Sequence, residues 1–182
     1  MVTRAHTNGA LALHDAVRDA LDSMKLKNAF LDASNVPHIY SKGMKQPDAA
    51  WVPRRYPRRS TMVLEVAVSE SLARLHRDMD MWIDLARGNV NIALAMKINQ
   101  RKPEIELEKY EWDTTKQKSC GTQNILIQKT DGQVTVSGSP LIIPFELLIG
   151  RVPSSPVETD IEIVEDALCE IAGIVWEAQE FE

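Results

Sequence analysis

Two cysteines in 182 residues, Cys120 and Cys169, are too few and too far apart for a disulfide framework or for thiolate metal spacing. Reduced thiols in an intracellular protein, cytoplasmic or nuclear, are the expectation. No apolar run is long enough to cross a membrane, so no membrane partner is expected. The Ala/Leu-rich stretch near the N-terminus is interrupted by Asp15, Arg18 and Asp19, which excludes a secretory signal. There is no internal repeat and no low-complexity tract. The four histidines (His6, His14, His38, His76) fall in no ligand spacing and are assigned no role. Nothing resembles a nucleophile triad or a glycine loop that cradles phosphates.

Hydrophobic content of 44% and charged content of 26% fit one globular domain over residues 1–182, long enough to bury a core. The net charge of −5 is unevenly spread. The last 25 residues, 158–182, hold nine of the 26 acidic side chains and no Lys or Arg, so the other 17 acids face 21 bases. Lys42, Lys45, Arg54, Arg55, Arg58 and Arg59 lie within 18 residues whose one acid is Asp48. Local field matters more than total charge for steering a polyanion, so this basic segment is a candidate nucleic-acid surface. A solvated loop is the simpler alternative.

Periodicity places a helix over 9–25, capped by Thr7 or Asn8, with Leu13, Val17, Leu21 and Met24 on one face. Short strands are expected at 29–31, 38–40 and 47–52, with loops at 41–45 and 53–60. The clearest strand is 61–68. Met62, Leu64, Val66 and Val68 form one face, and Val63, Glu65 and Ala67 the other. A helix over 72–86 capped near Ser71 and a strand over 90–98 follow, which predicts a βαβ unit with a parallel pair. A charged strand at 104–112 is placed near an edge. A polar loop follows at 113–122, and then a hairpin turns at Lys129-Thr130-Asp131-Gly132. Pro144 opens a short helix. The last helix covers about 163–177, inside an acidic C-terminal segment at about 160–178. The fold class is α/β of the α+β mixed-sheet type, a central mixed β-sheet flanked by helices with an extra C-terminal hairpin and helix.

Pro47-Asp48 ends one apolar-flanked segment, and Glu65 is embedded in the central strand. If the two segments pair, two carboxylates converge, as a divalent-metal site requires. A lone charge in a central strand is costly, so Glu65 must be metal-bound, protonated or paired, for instance with Arg77. Asp48 taken alone could simply cap a turn after Pro47. Trp51 and Trp82 are read as core.

The order of elements, with Pro47-Asp48 and Glu65-Val66-Ala67, resembles the PD-(D/E)XK nuclease superfamily. The longer set is similar to uncharacterised fungal restriction-endonuclease-like proteins and, distantly, to bacterial Uma-type proteins. It comprises Pro47-Asp48-Ala49-Ala50-Trp51-Val52-Pro53, Val63 to Ser71, Arg77-Asp78, Trp82, Pro144-Phe145-Glu146-Leu147-Leu148 and Asp160-Ile161. This resemblance implies a restriction-endonuclease-like core in which Asp48, Glu65 and the Val66 backbone carbonyl hold Mg²⁺ or Mn²⁺. It implies a metal-dependent endonuclease-like protein that hydrolyses DNA phosphodiester bonds, and many relatives form homodimers. The lysine that the family places two residues after the glutamate is Ala67 here. Arg77 on the following helix is the nearest replacement cation, with Lys97 on the next strand a second. Arg77 can orient water or phosphate but is a poor base. The alternative is a catalytically degenerate nuclease fold serving as a nucleic-acid-binding or protein-interaction module. A further option is a regulatory protein whose acidic helix covers its basic surface.

Overall fold

The computed structural model describes residues 3–32, 37–40, 43–55 and 59–181. Helix α1 (Arg4–Ser23) begins five residues before the expected start. Thr3, rather than Thr7 or Asn8, caps it through the His6 amide at 3.2 Å. The cap sits earlier because Ala5, Gly9 and Ala10 extend the buried face backwards by a turn. A Cβ on Gly9 would stand 2.9 Å from Met96 Sδ, so glycine lets the helix lie this close to the sheet without moving that side chain.

Seven strands form the main sheet: β1 (Phe30–Asp32), β4 (Ala49–Pro53), β5 (Met62–Ala67), β6 (Ile92–Ile98), β7 (Glu104–Asp113), β8 (Lys118–Thr130) and β9 (Gln133–Ser137), side by side in that order. The β5–β6 pair is parallel and every other pair is antiparallel, so the sheet is mixed as expected. Helix α2 (Leu72–Ile83), capped by Ser71, makes the crossover between β5 and β6. β2 (His38–Tyr40) and β3 (Gly43–Lys45) form a separate small hairpin, so residues 43–45 are strand rather than loop. The C-terminal part adds β10 (Leu141–Ile143) paired with β11 (Ile161–Ile163), α3 (Phe145–Ile149) and α4 (Glu165–Ala178). Pro144 is the N-cap of α3, one place before the expected first turn.

Two further expectations change. β7 is interior, flanked by β6 and β8, and not near an edge. Glu104, Glu106 and Glu108 alternate with buried Ile105, Leu107 and Lys109, so these acids decorate one face of an inner strand, and Lys109 on the other face pairs with Glu111. Residues 118–122, expected in a loop, continue β8 because a register shift at Lys109/Tyr110 lets the long hairpin pair out to Asp113↔Lys118.

The sheet is covered on both faces around β5 and β6. On one side Met62, Leu64, Val66, Leu94 and Met96 meet Leu13 and Val17 of α1 and Leu168, Ile171 and Val175 of α4. On the other, Val63, Ala67, Ala93 and Ala95 meet Leu75, Met79 and Trp82 of α2. Alanines dominate that second face, and their small side chains leave space beside the α2 layer. Glu65 projects on this side, between Val63 and Ala67. No helix among the described residues is long and apolar enough to cross a membrane.

Candidate carboxylate site

β4 and β5 pair only over Ala49↔Leu64 to Trp51↔Met62, so β5 runs past the start of β4. The Asp48 amide donates to the Leu64 carbonyl at 3.0 Å. One step further the ladder lacks a partner strand, and the Asp48 side chain takes over. Its Oδ2 accepts the Val66 N–H at 2.7 Å. The carboxylate therefore substitutes for a missing rung. Backbone groups two residues apart share a side of a strand, which turns the Val66 N–H and carbonyl towards Asp48.

His6, in the first turn of α1, places Nε2 3.2 Å from Asp48 Oδ2. Its hydrogen bond to Asp48 holds the imidazole above its usual pKa against the opposing effect of burial. The charges of Asp48 and Glu65 and the Val66 backbone act in the same direction as that bond. Glu65 Oε1 accepts the Trp82 indole N–H at 2.7 Å and lies 3.3 Å from Lys45 Nζ. The same ammonium is 2.7 Å from Asp78 Oδ2 on α2. Burial raises the Glu65 carboxyl from 4.5 to about 7, with Lys45 and the Trp82 bond opposing it and the charges of Asp48 and Asp78 adding to it. At neutral pH this side chain is poised between its two protonation states.

Asp48, Glu65 and Val66 line one cavity of about 240 Å³, together with His6, Lys45 and Asp78. Val68, Ser69, Glu70 and Arg74 complete its rim. The carboxylates expected to converge thus share a space, and the sheet brings them there from β5 and from the lead-in to β4. Sequence reasoning missed His6 and Asp78 and gave Lys45 a surface role. The His6–Asp48 contact joins α1 to the strand edge, which no local spacing encodes. Asp78 adjoins Arg77 in the resemblance set, but only the helix phase shows that it faces the cavity. Trp82, read as core, is fully buried and also donates to Glu65.

The other cations lie elsewhere. Arg77 is on the exposed face of α2 and does not line the cavity. Lys97 stands opposite Ala67 in the parallel register. Its ammonium donates to the Val68 carbonyl at 2.9 Å and to the Glu70 carbonyl, which ties down the turn after β5. Burial lowers the Lys97 pKa. Arg59 donates to the Ser60 and Asn89 carbonyls and to Asn91 Oδ1, bracing the entrance to β6. Arg54 and Arg55 follow β4 at its far end. Lys42 and Arg58 lie outside the described residues.

No protein-family model matches the chain. No curated protein matches it either. Among solved structures it is similar to a protein of Anabaena variabilis ATCC 29413 described as a "putative nuclease belonging to DUF820". The two share 11% identity over 93% of this chain and 82% of that one, with a TM-score of 0.45. At that TM-score the similarity adds nothing to what the strand order already establishes.

Proposed function

We propose that this is a nuclease-type protein that hydrolyses phosphodiester bonds of DNA with a divalent metal, using the site built on Asp48 and Glu65. The observation that carries this reading is that both carboxylates and Val66 line one polar cavity. The donors are carboxylate and carbonyl oxygens, which suit Mg²⁺ or Mn²⁺. Among the described residues no three His, Cys, Asp or Glu side chains close into a ligand set, so water must complete the coordination, as Mg²⁺ tolerates.

Asp48, Glu65 and the Val66 carbonyl would hold the ion, which when bound supplies an activated water and charge neutralisation at the phosphate. The protein's own groups do the rest. Trp82 fixes the Glu65 carboxylate through its indole N–H. Lys45 brings an ammonium to the cavity that Ala67 does not supply, where it can orient water or a phosphate oxygen. His6 rests on Asp48, whose carboxylate favours the protonated imidazole.

Lys45 and His6 also favour a second reading. His6 and Lys45 already occupy the two carboxyl groups, as in a degenerate site that keeps its fold and binds nucleic acid or protein without metal. Plasmid and single-stranded DNA incubated with Mg²⁺ or Mn²⁺ separate the two. Wild-type cutting that falls at least about a hundredfold in Asp48→Asn and in Glu65→Gln supports the enzyme. No cutting by the wild type in either metal sinks it.

A further inference from the structure

A second cavity, of about 520 Å³, lies at the other end of the elements that build the carboxylate site. β4 leads from Asp48 to Arg54 over roughly 20 Å at ~3.3 Å per residue. α1 and its C-cap lead from His6 to Lys25 over about 28 Å at ~1.5 Å per residue. Both run from the first cavity to the second. Lys25, Lys27, Arg54, Arg55 and Arg151 line this groove, and among the described residues no acidic side chain does. Two of the five are held by acids, and Arg54 Nε donates to the Phe30 carbonyl at 3.2 Å while its terminal nitrogens face outward. Lys27 pairs with Asp22 at 3.1 Å, and Arg151 makes a two-bond fork to Glu158 at 2.7 and 2.8 Å. Lys25, Arg54 and Arg55 are exposed and make no ion pair among the described residues.

Lys25 adds an independent observation. α1 ends in a Schellman motif: the Lys25 amide donates to the Asp22 carbonyl at 2.9 Å and the Leu26 amide to the Leu21 carbonyl at 2.8 Å. The motif needs a left-handed residue, usually glycine. Here it is Lys25 at φ 61°, a conformation that strains an L-residue. A strained lysine beside two exposed arginines with no acid partner among the described residues is a local cost to folding that ligand binding would explain. Its charge, with that of Lys27, also offsets the negative pole of the helix C-terminus, which would otherwise repel an anion.

We infer that this groove binds the phosphate backbone of a nucleic-acid strand, as a second anchoring surface separate from the carboxylate site. Its occupant rests on the nucleic-acid reading above, but its binding needs neither the metal nor the carboxylates. The floor is Leu26, Ala29, Pro53 and Ile149, and among the described residues it holds no aromatic ring on which a base could stack. Binding there follows the backbone and is indifferent to sequence. The 20 to 30 Å between the two cavities corresponds to roughly six to nine phosphates of one duplex strand at ~3.4 Å each.

The test is fluorescence anisotropy of a labelled oligonucleotide, single-stranded and as duplex, titrated with the full chain in EDTA at several salt concentrations. The Arg54→Ala/Arg55→Ala variant should bind at least about tenfold more weakly, with a salt slope shallower by about 1.4 to 1.8. Lys25→Gly should weaken binding by a smaller factor, while Asp48→Asn and Glu65→Gln bind at least as well as wild type. Wild-type binding that the groove variants leave unchanged overturns the inference and leaves the nuclease reading standing. Groove-dependent binding without metal-dependent cutting does the reverse. Inorganic phosphate and pyrophosphate form the last arm. Groove-dependent binding of either one, with no oligonucleotide binding, overturns the assignment to a nucleic-acid strand. Failure of all three to bind overturns the groove as a phosphate site.

Discussion

The two ends of α1 and β4 treat charge in opposite ways. At the Asp48 end every charge has a partner inside the fold: His6 on Asp48, and Lys45 between Glu65 and Asp78. At the Arg54 end three cations stand in solvent without an ion pair among the described residues. The first arrangement is buried enough to shift a carboxyl to about 7. The second is exposed enough that no such cost arises. Charge at the carboxylate end is therefore tied to folding, and charge at the groove end to what arrives from outside. Substitutions at the first should be read in stability, those at the second mainly in affinity.

The largest effect expected from this contrast is a pH-dependent stabilisation. Glu65 ionises near 4.5 when unfolded and near 7 when folded. The folded state thus holds the proton more tightly, and the wild type loses stability as pH rises from 4.5 to 7, after which the loss levels off. That loss is about 3 kcal/mol at 1.36 kcal/mol per pH unit. Glu65→Gln should therefore match the wild type at pH 4 and exceed it by up to about 3 kcal/mol at pH 8 in urea unfolding with EDTA. A constant difference across that range would show that Glu65 is not held protonated by burial.

Next comes Asp48. Alanine there removes the acceptor for the Val66 N–H and the partner of His6, and an unmet, partly buried donor costs about 1 to 3 kcal/mol. Asparagine keeps an acceptor for the amide and should recover most of that loss while lowering metal affinity. Equal melting temperatures for the two variants would contradict the role of Asp48 as a surrogate rung.

The smallest changes are expected at the groove end. Lys25→Gly relieves a left-handed lysine and should stabilise the fold by about 1 kcal/mol, while Arg54→Ala and Arg55→Ala stay within about 0.5 kcal/mol of wild type. A destabilised Lys25→Gly would mean that its side chain supports the end of α1, and the groove end would no longer be free of structural charge.

The parts that sequence made legible are those with a local signature. Alternation along 61–68 and 90–98, with a capped helix between, sufficed for the parallel β5–β6 pair and for Glu65 inside it. The Asp131-Gly132 turn sufficed for the β8–β9 hairpin. Asp48 and Glu65 reach one cavity because β4 pairs with β5, a short antiparallel step. The cations were not legible. His6, Lys45 and Lys97 each find their partners through contacts between elements, and a lysine carries the same pattern whether it faces water or a carboxylate. The basic segment read as one surface therefore divides among a cavity, a brace at Arg59 and a groove.

The bond from the Val66 N–H to Asp48 makes one backbone amide a spectator of the site. Its exchange with solvent deuterium is held back by a single side-chain oxygen, where its neighbours along β5 are held by whole strands. A proton, an ion or a substitution arriving at Asp48 changes that one protection factor and the amide's nitrogen–proton resonance before it touches the rest of the sheet. Occupancy of the carboxylates can thus be followed in the intact protein with an unlabelled ligand, independently of any assay of activity.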